Sequence, residues 1–398
     1  VEIGLVGKPN VGKSTFFEAA TLAGVEIANY PFTTINANRG MGYLRCNDPG
    51  EDLGVESDPK NSLVIGSTRF VPVELLDVAG LVPDAHSGKG LGNRFLDDLR
   101  QAHALVHIID VSGSTDSEGN PVVAGTHDPA KDVLFLEKEI DFWFDGIIKR
   151  DWQKMSRTSE SVKTPIERML GEKLTGLGIT VTHIHDAMIH QELDTTHPTR
   201  WSDGDLFELA NTLRKISKPM IIAANKADRA DDDQLRSLGS NAGGMTVIPT
   251  CSEAEMALKK ASKAGLIHYS PGDPDFTIVD ASRLNSAQTK ALDRIRDVLG
   301  RFGSTNVQKA METAAYDLLD LIVVFPVEDE HKYTDKDGNV LPDAHLVKKG
   351  STARDLAYKV HSDLGDHFIR AIDCKTQRTI GHDHELRHGD VIKIHSNA

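Results

Sequence analysis

Short apolar runs alternate with longer amphipathic stretches along this chain, and the two periods predict different elements. Residues 3–6, 70–77, 104–111 and 220–224 are rich in Ile, Val, Leu and Ala with little polar interruption, the pattern of strands buried on both faces of a parallel sheet. Residues 245–250 read as another strand, and residues 36–45 as a strand and turn broken by Gly40 and Gly42. Val133, Leu134, Leu136, Ile140, Phe144, Ile147 and Ile148 instead recur every three to four residues and predict a helix. Helical spacing also marks residues 15–22, 95–103, 165–174, 179–190, 205–216, 255–263, 281–302 and 304–319. Residues 47–69 read as a hairpin or surface loop, and residues 265–280 as a connector. From Leu321 the texture changes: residues 321–326, 368–373 and 391–394 read as short strands around one short helix at 352–364.

This order predicts an α/β protein with a doubly wound, mostly parallel sheet built from residues 1–111 and 219–303. A strand-to-strand connection in such a sheet takes a few residues plus one helix. The interval before residue 219 is far longer, so residues 130–218 are expected to form a helical insertion, preceded by a turn-rich stretch at 112–129. A linker helix at 304–320 then leads into a small α+β domain at 321–398. Trp143 and Trp152 are expected to pack rather than to bind a ligand.

Composition narrows the classes. The 398 residues carry 45 Lys+Arg against 59 Asp+Glu, a net charge of −14, which argues against unspecific adhesion to nucleic acid or membrane. Three scattered cysteines form neither a disulfide framework nor a zinc spacing. No apolar run reaches membrane-spanning length, and the first residues already read as a strand, so a cytoplasmic protein with no membrane partner is expected. His382, His384 and His388 lie near one another, but no thiolate or carboxylate set accompanies them to fix a metal geometry.

The chemistry sits at the strand ends. After the first strand comes Gly7-Lys8-Pro9-Asn10-Val11-Gly12-Lys13-Ser14-Thr15, a G-x-x-x-x-G-K-[ST] phosphate loop between a strand and a helix. Its amides and the helix N-terminus suit phosphate oxygens, Lys13 the β- and γ-phosphates, and Ser14 a Mg²⁺ ion. Asn29-Tyr30-Pro31-Phe32-Thr33-Thr34 follows the first helix; the Thr34 hydroxyl, or alternatively that of Thr33, can complete the Mg²⁺ shell and sense the γ-phosphate. The strand ending at Asp77 runs into Asp77-Val78-Ala79-Gly80, where the carboxylate can hold a Mg²⁺-bound water and the Gly80 amide the γ-phosphate. Leu81 follows where many GTPases carry a water-orienting glutamine; leucine has no hydrogen-bonding group, so slow intrinsic hydrolysis is expected. His86 reads as a solvent-exposed loop histidine. Asn225-Lys226-Ala227-Asp228 ends the fourth buried run: Asp228 can accept two N–H bonds from guanine, Asn225 can bond N7 and tie down its loop, and the Lys226 stem can lie along the base. Cys251-Ser252 would supply a final backbone contact to the base.

Taken together these motifs resemble the YchF subfamily of Obg-related GTPases, of archaeal type, over nearly the whole length. The resemblance implies a G domain with a helical insertion and a C-terminal, β-grasp-like TGS domain. It implies hydrolysis of GTP to GDP and phosphate with Mg²⁺, and a potassium ion held near the phosphates with help from Asn10. It also implies a translation- or ribosome-associated switch, with ribosome or RNA contacted through the helical insertion and the TGS domain, and the chain is expected to act as a monomer. Many relatives end the base motif in Glu and prefer ATP; Asp228 departs from them, which favours GTP and leaves an ATP-preferring hydrolase as the alternative. The relatives' final base loop reads Ser-Ala, where this chain has Cys251-Ser252.

Overall fold

The computed structural model describes residues 1–21, 38–78 and 92–397, without the side chains of 92–94, 96 and 97. Segment 22–37, with Thr33 and Thr34, and segment 79–91, with Gly80, Leu81 and His86, lie outside the described residues.

The larger sheet has seven strands. In chain order these are β1 (Glu2–Val6), β2 (Arg39–Asn47), β3 (Leu63–Ile65), β4 (Thr68–Asp77), β5 (Ala104–Asp110), β6 (Met220–Asn225) and β7 (Val247–Pro249). The order across the sheet is β2-β4-β1-β5-β6-β7, with β3 paired to the far part of β4. All neighbours from β4 to β7 run parallel, whereas β2 and β3 run antiparallel to β4. The buried runs fall where both faces are covered. On β1, Ile3 and Leu5 enter one core and Val6 the opposite one, as the two-residue period of a strand requires. The first core packs under α1 (Lys13–Ala20) and, through Val307, Ala310 and Met311, under the helix near residue 310.

Residues 47–69 are more ordered than a surface loop. They hold α2 (Pro49–Leu53), capped by the Asp48 side chain on the Gly50 N–H, and the β3–β4 hairpin. After α3 (Gly92–Gln101), five helices fill the interval between β5 and β6: α4 (Ala130–Lys149), α5 (Trp152–Val162), α6 (Ile166–Leu174), α7 (Val181–His190) and α8 (Asp203–Ser217). Ile140, Phe144, Leu170, Ile184 and Leu209 form one core that continues onto Leu99 and Leu105 of the sheet layer. The tryptophans pack, as expected. Trp143 lies in this core, and Trp152 stacks on Trp201 at 5.2 Å.

Beyond β6 come α9 (Asp232–Ser240), α10 (Ser252–Lys263), a two-stranded pair β8 (Ile267–His268) and β9 (Thr277–Ile278), α11 (Ser286–Phe302) and α12 (Val307–Glu312). The linker helix expected over 304–320 continues from α12 as a π turn, Thr313–Leu318. The C-terminal unit is a five-stranded sheet, β11-β10-β14-β12-β13. Its strands are β10 (Leu321–Val327), β11 (His345–Lys348), β12 (Phe368–Asp373), β13 (Arg378–Ile380) and β14 (Asp390–Ser396), with α13 (Ala353–Val360) and α14 (Ser362–Asp366) between β11 and β12. Parallel pairing of β10 with β14 inside otherwise antiparallel neighbours gives the β-grasp arrangement. Among the described residues no group of His, Cys, Asp and Glu could hold a metal ion, His382, His384 and His388 included.

This unit shares a core with the larger sheet. Cys46 and Val71 pack with Val323, Phe325, Leu341 and Val391. At the centre lies Arg69, 0% exposed. Its Nε donates to Ser62 Oγ at 2.7 Å, Nη1 to Asp48 Oδ1 at 3.1 Å and Nη2 to the Leu341 carbonyl at 2.6 Å. The guanidinium stacks 5.5 Å from the Phe325 ring centre. A buried charge survives only when paired and hydrogen-bonded in this way. Asn61 adds a reciprocal clamp, donating to the Ala344 carbonyl at 3.0 Å and accepting from the Ala344 N–H at 2.9 Å.

Candidate functional site

The site is assembled where β1, β4, β5 and β6 end on one edge of the sheet. Parallel strands deliver their C-terminal residues to the same side, and ligands of such sheets bind there. Leu5 pairs with Asp77, and Asp110 pairs with Asn225 across the sheet, so the phosphate loop and the base motif emerge side by side.

The phosphate loop closes on Gly12, whose φ of 94° is left-handed. A Cβ there would stand 2.3 Å from Asn225 Nδ2, so the position admits only glycine. α1 begins directly after it with no side-chain cap and no acidic residue in its first turn. An uncapped helix start presents free N–H groups and a positive dipole end, which suits an anion. The Lys13 ammonium reaches the Asp77 carboxylate and also donates to the Val78 carbonyl at 2.8 Å. Ser14 is exposed at the mouth of the loop. A hydroxyl, a carboxylate and a free helix start are hard oxygen and anion-binding groups of the kind that a magnesium–polyphosphate takes.

Two members of the loop turn outward. Lys8 is buried; its Nζ donates to the Thr115 carbonyl at 3.1 Å and pairs with Asp132 at 2.7 Å. His127 also contacts Asp132, at 2.9 Å. Asn10, at φ 63°, donates through Nδ2 to the Gly119 carbonyl at 2.9 Å. Gly119 sits so close over the loop that a Cβ would lie 2.5 Å from the Pro9 carbonyl. Segment 112–129 is thus moulded onto the outer face of the phosphate loop. The sequence marks it only as turn-rich. Its glycines and small hydroxyl residues were the available signal.

The base motif is tied down from three sides. Asn225 Nδ2 donates to the Val11 carbonyl at 2.9 Å, while Oδ1 accepts from the Ser252 N–H at 3.1 Å and the Ser252 hydroxyl at 2.9 Å. Lys226 adopts φ 60° and donates to the Asn10 carbonyl at 3.0 Å and to Asp110 at 2.9 Å. Asp228 stays exposed at the rim. Cys251 is buried beside it; burial, reinforced by the Asp228 charge, pushes the thiol up to about 12, so it is a packing group rather than a nucleophile. The Cys251 N–H donates to the Thr305 carbonyl at 3.0 Å and the Ser252 N–H serves Asn225, so both amides already have partners.

The structure therefore gathers Gly7, Gly12, Lys13, Ser14, Thr15, Asp77, Asn225, Lys226, Asp228, Cys251 and Ser252 at one sheet edge. It turns Lys8 and Asn10 toward segment 112–129. Thr34 and Gly80 lie outside the described residues. Asp110 went unnoticed in the sequence, because an aspartate closing an apolar strand is unremarkable until its partners are seen.

Three family profiles tile the chain: a 50S ribosome-binding GTPase profile over residues 2–137, an Obg-like GTPase YGR210-like, G4 motif-containing domain over 223–329, and a TGS domain over 331–396. The chain is 52% identical over 397 residues to an uncharacterized GTP-binding protein of Methanocaldococcus jannaschii, covering 100% of this chain and 99% of that one. It is 38% identical over 376 residues to the ribosome-binding ATPase YchF of Escherichia coli O157:H7, covering 92% and 86%. A crystal structure of a GTP binding protein from Pyrococcus horikoshii OT3 matches with a TM-score of 0.79 and 42% identity over 100% of both chains. With the phosphate loop, the base motif and the C-terminal sheet all falling within these matches, the chain belongs to the YchF branch of the Obg-related P-loop GTPases that carry a TGS domain.

Proposed function

We propose that this P-loop nucleoside-triphosphate hydrolase takes GTP, hydrolyses it slowly to GDP and phosphate, and works as a ribosome-associated switch. The observation that carries the guanine reading is Asp228 at the end of a fully tethered Asn225-Lys226 turn. An exposed carboxylate in that place accepts from both N1–H and the exocyclic amine of guanine, and adenine offers no such pair. Asn225 holds the turn against Val11 and contributes to N7, and the Lys226 stem lies along the base.

At the phosphate end, the amides of the loop and of the α1 start receive the phosphates, and Lys13 leaves Asp77 for the β- and γ-oxygens. Ser14, Thr34 and Asp77 would hold Mg²⁺, which neutralises charge on the phosphates when bound. Gly80, outside the described residues, would give its amide to the γ-phosphate. Asn10 gives its Nδ2 to the Gly119 carbonyl, which leaves its side-chain Oδ1 as the end that would face a potassium ion. Leu81 cannot orient water, so the unstimulated rate is slow.

ATP is the second reading, favoured by the name ribosome-binding ATPase borne by the 38%-identical bacterial relative. Competition of labelled GTP by unlabelled ATP and GTP, with Mg²⁺ and with or without potassium, separates the two. GTP displacing at least tenfold better than ATP is expected; the reverse order overturns the guanine reading. The ribosome reading draws on the same printed names. Its test is co-sedimentation with ribosomes in GTP, GDP and no nucleotide, and absence from the pellet in all three overturns it.

A further inference from the structure

Asp110 closes β5 beside Asn225, and its side chain is 0% exposed while that of its partner Lys226 is 16% exposed. Five donors surround the carboxylate. Oδ1 accepts from the Ser112 N–H at 3.1 Å and the Ser112 hydroxyl at 2.6 Å. Oδ2 accepts from the Ser114 hydroxyl at 2.7 Å, the Thr115 hydroxyl at 3.2 Å and the Lys226 ammonium at 2.9 Å. Burial alone would raise this carboxyl, but the hydrogen bonds from Ser112, Lys226 and Ser114 outweigh it and hold it below the usual carboxylate range. The group is therefore a fixed negative charge, and among the described residues Lys226 is the one cation bonded to it.

Lys226 is the only one of these donors that also reaches the phosphate loop, through the Asn10 carbonyl at 3.0 Å. Its side chain is stretched between two anchors, one in the phosphate loop and one at the end of β5. A lysine stem has four rotatable carbons and would otherwise sample many rotamers. A base stacking on a free stem would have to order it on binding, and one stacking on a stem already held does not.

We propose that Asp110 is a positioning residue for nucleotide binding: its buried carboxylate holds the Lys226 side chain extended as a preformed shelf for the purine ring. The inference rests on the nucleotide reading above, and it concerns ring stacking rather than the choice between purines, which Asp228 makes. Ser112, Ser114 and Thr115 satisfy the remaining lone pairs of the carboxylate, and the pairing with Lys226 is what holds the shelf.

The test is a double-mutant cycle on the full chain with Asp110→Asn, Lys226→Met and both, reading KM and kcat for GTP and titrating a fluorescent GDP. Loss of one charge-assisted hydrogen bond predicts that Asp110→Asn raises KM and the GDP Kd about tenfold. kcat is expected to stay within about twofold. Lys226→Met should cost about the same, and the double variant no more than the worse single one, since both remove one shelf. A KM within twofold of wild type for Asp110→Asn, fully additive losses in the double variant, or a fall in kcat at unchanged KM would each overturn the proposal. Should Asp110→Asn fail to fold, Ser114→Ala combined with Thr115→Val decides. These leave the Asp110–Lys226 pair intact, so KM is expected within twofold; a tenfold rise would mean that the turn, not the pair, sets affinity. A wild-type chain that binds neither GTP nor ATP defeats the nucleotide reading itself, whereas good wild-type binding with an unaltered Asp110→Asn variant defeats only this inference.

Discussion

The two ends of β4 make opposite uses of charge. At one end Asp77 meets Lys13, and both side chains keep some exposure, at 24% and 14%. At the other end Arg69 is wholly buried and bonded to Ser62, Asp48 and the Leu341 carbonyl. The Asp77 end has few partners, and water or a phosphate can replace them at small cost. At the Arg69 end each of the three guanidinium nitrogens donates to a buried partner, with no exposure through which to exchange it. One strand thus carries an exchangeable ion pair where a ligand arrives and a locked one where a second sheet is held. Burial and the number of partners make the difference, since each end is one cation–carboxylate pair.

The sharpest way to break this comparison is at the locked end. Arg69→Met removes the cation but leaves Asp48 buried, and is expected to cost about 3–5 kcal/mol of stability in denaturant unfolding. Nucleotide affinity of the folded fraction should hardly change. If stability fell by less than about 1 kcal/mol, the Arg69 cluster would be no lock. Lys13→Met makes the reverse case: GTP affinity is expected to fall about a hundredfold or more, read by calorimetric titration, with the melting temperature within a few degrees of wild type.

Level with the Asp77 end, two strands away, His107 on β5 is buried near Lys8, and its effect depends on pH. Burial, with a smaller contribution from the Lys8 charge, lowers this imidazole to about 3. The folded chain therefore keeps it neutral while the unfolded chain protonates it below its ordinary value near 6.5. Between these two values the unfolded state binds more protons, so stability falls as pH falls. From pH 7 to pH 4 this one group should remove about 3 kcal/mol. His107→Leu should lose that much less over the same range, measured as unfolding free energy at each pH; parallel curves would remove His107 from the account. The smallest expected effect is at the edge of the locked end. Asn61→Ala deletes the reciprocal clamp on Ala344 and should cost about 1–2 kcal/mol by thermal unfolding, well below Arg69→Met.

The exchangeable end was legible in the sequence and the locked end was not. Gly12, Lys13, Asn225 and Asp228 are read from residue type and spacing because the chemistry tolerates few alternatives at those places. The apolar runs that became β1, β4, β5 and β6 were readable for the same kind of reason: strands covered on both faces have no room for polar residues. The periodicity of residues 133–148 gave α4 directly, since one face of it is buried. Arg69 gave no such signal. An arginine near a strand start reads as solvent-facing, and its acceptors come from Ser62, Asp48 and Leu341, one of them 272 residues away. β11 and β13 were missed because strands of four and three residues leave no measurable alternation. The π turn after α12 has the composition of an ordinary helix, so nothing in its residue types marks the wider turn. Lys8 shows the limit of a motif: the pattern permits any residue there, and this chain uses it to face segment 112–129.

The shared core around Arg69 also bears on where the chain can be divided. Sequence alone suggests a modular protein whose last 80 or so residues could be removed or transplanted. Ending the chain before Leu321 would instead strip Cys46 and Val71 of their cover and leave Asp48 facing Arg69 without the Leu341 carbonyl and the Phe325 ring. The isolated C-terminal piece would bare Val323, Phe325 and Leu341 in turn. Neither fragment would be a faithful sample of its part of the whole, and a shortened chain that precipitates would reveal this seam rather than a defect of the nucleotide-binding half.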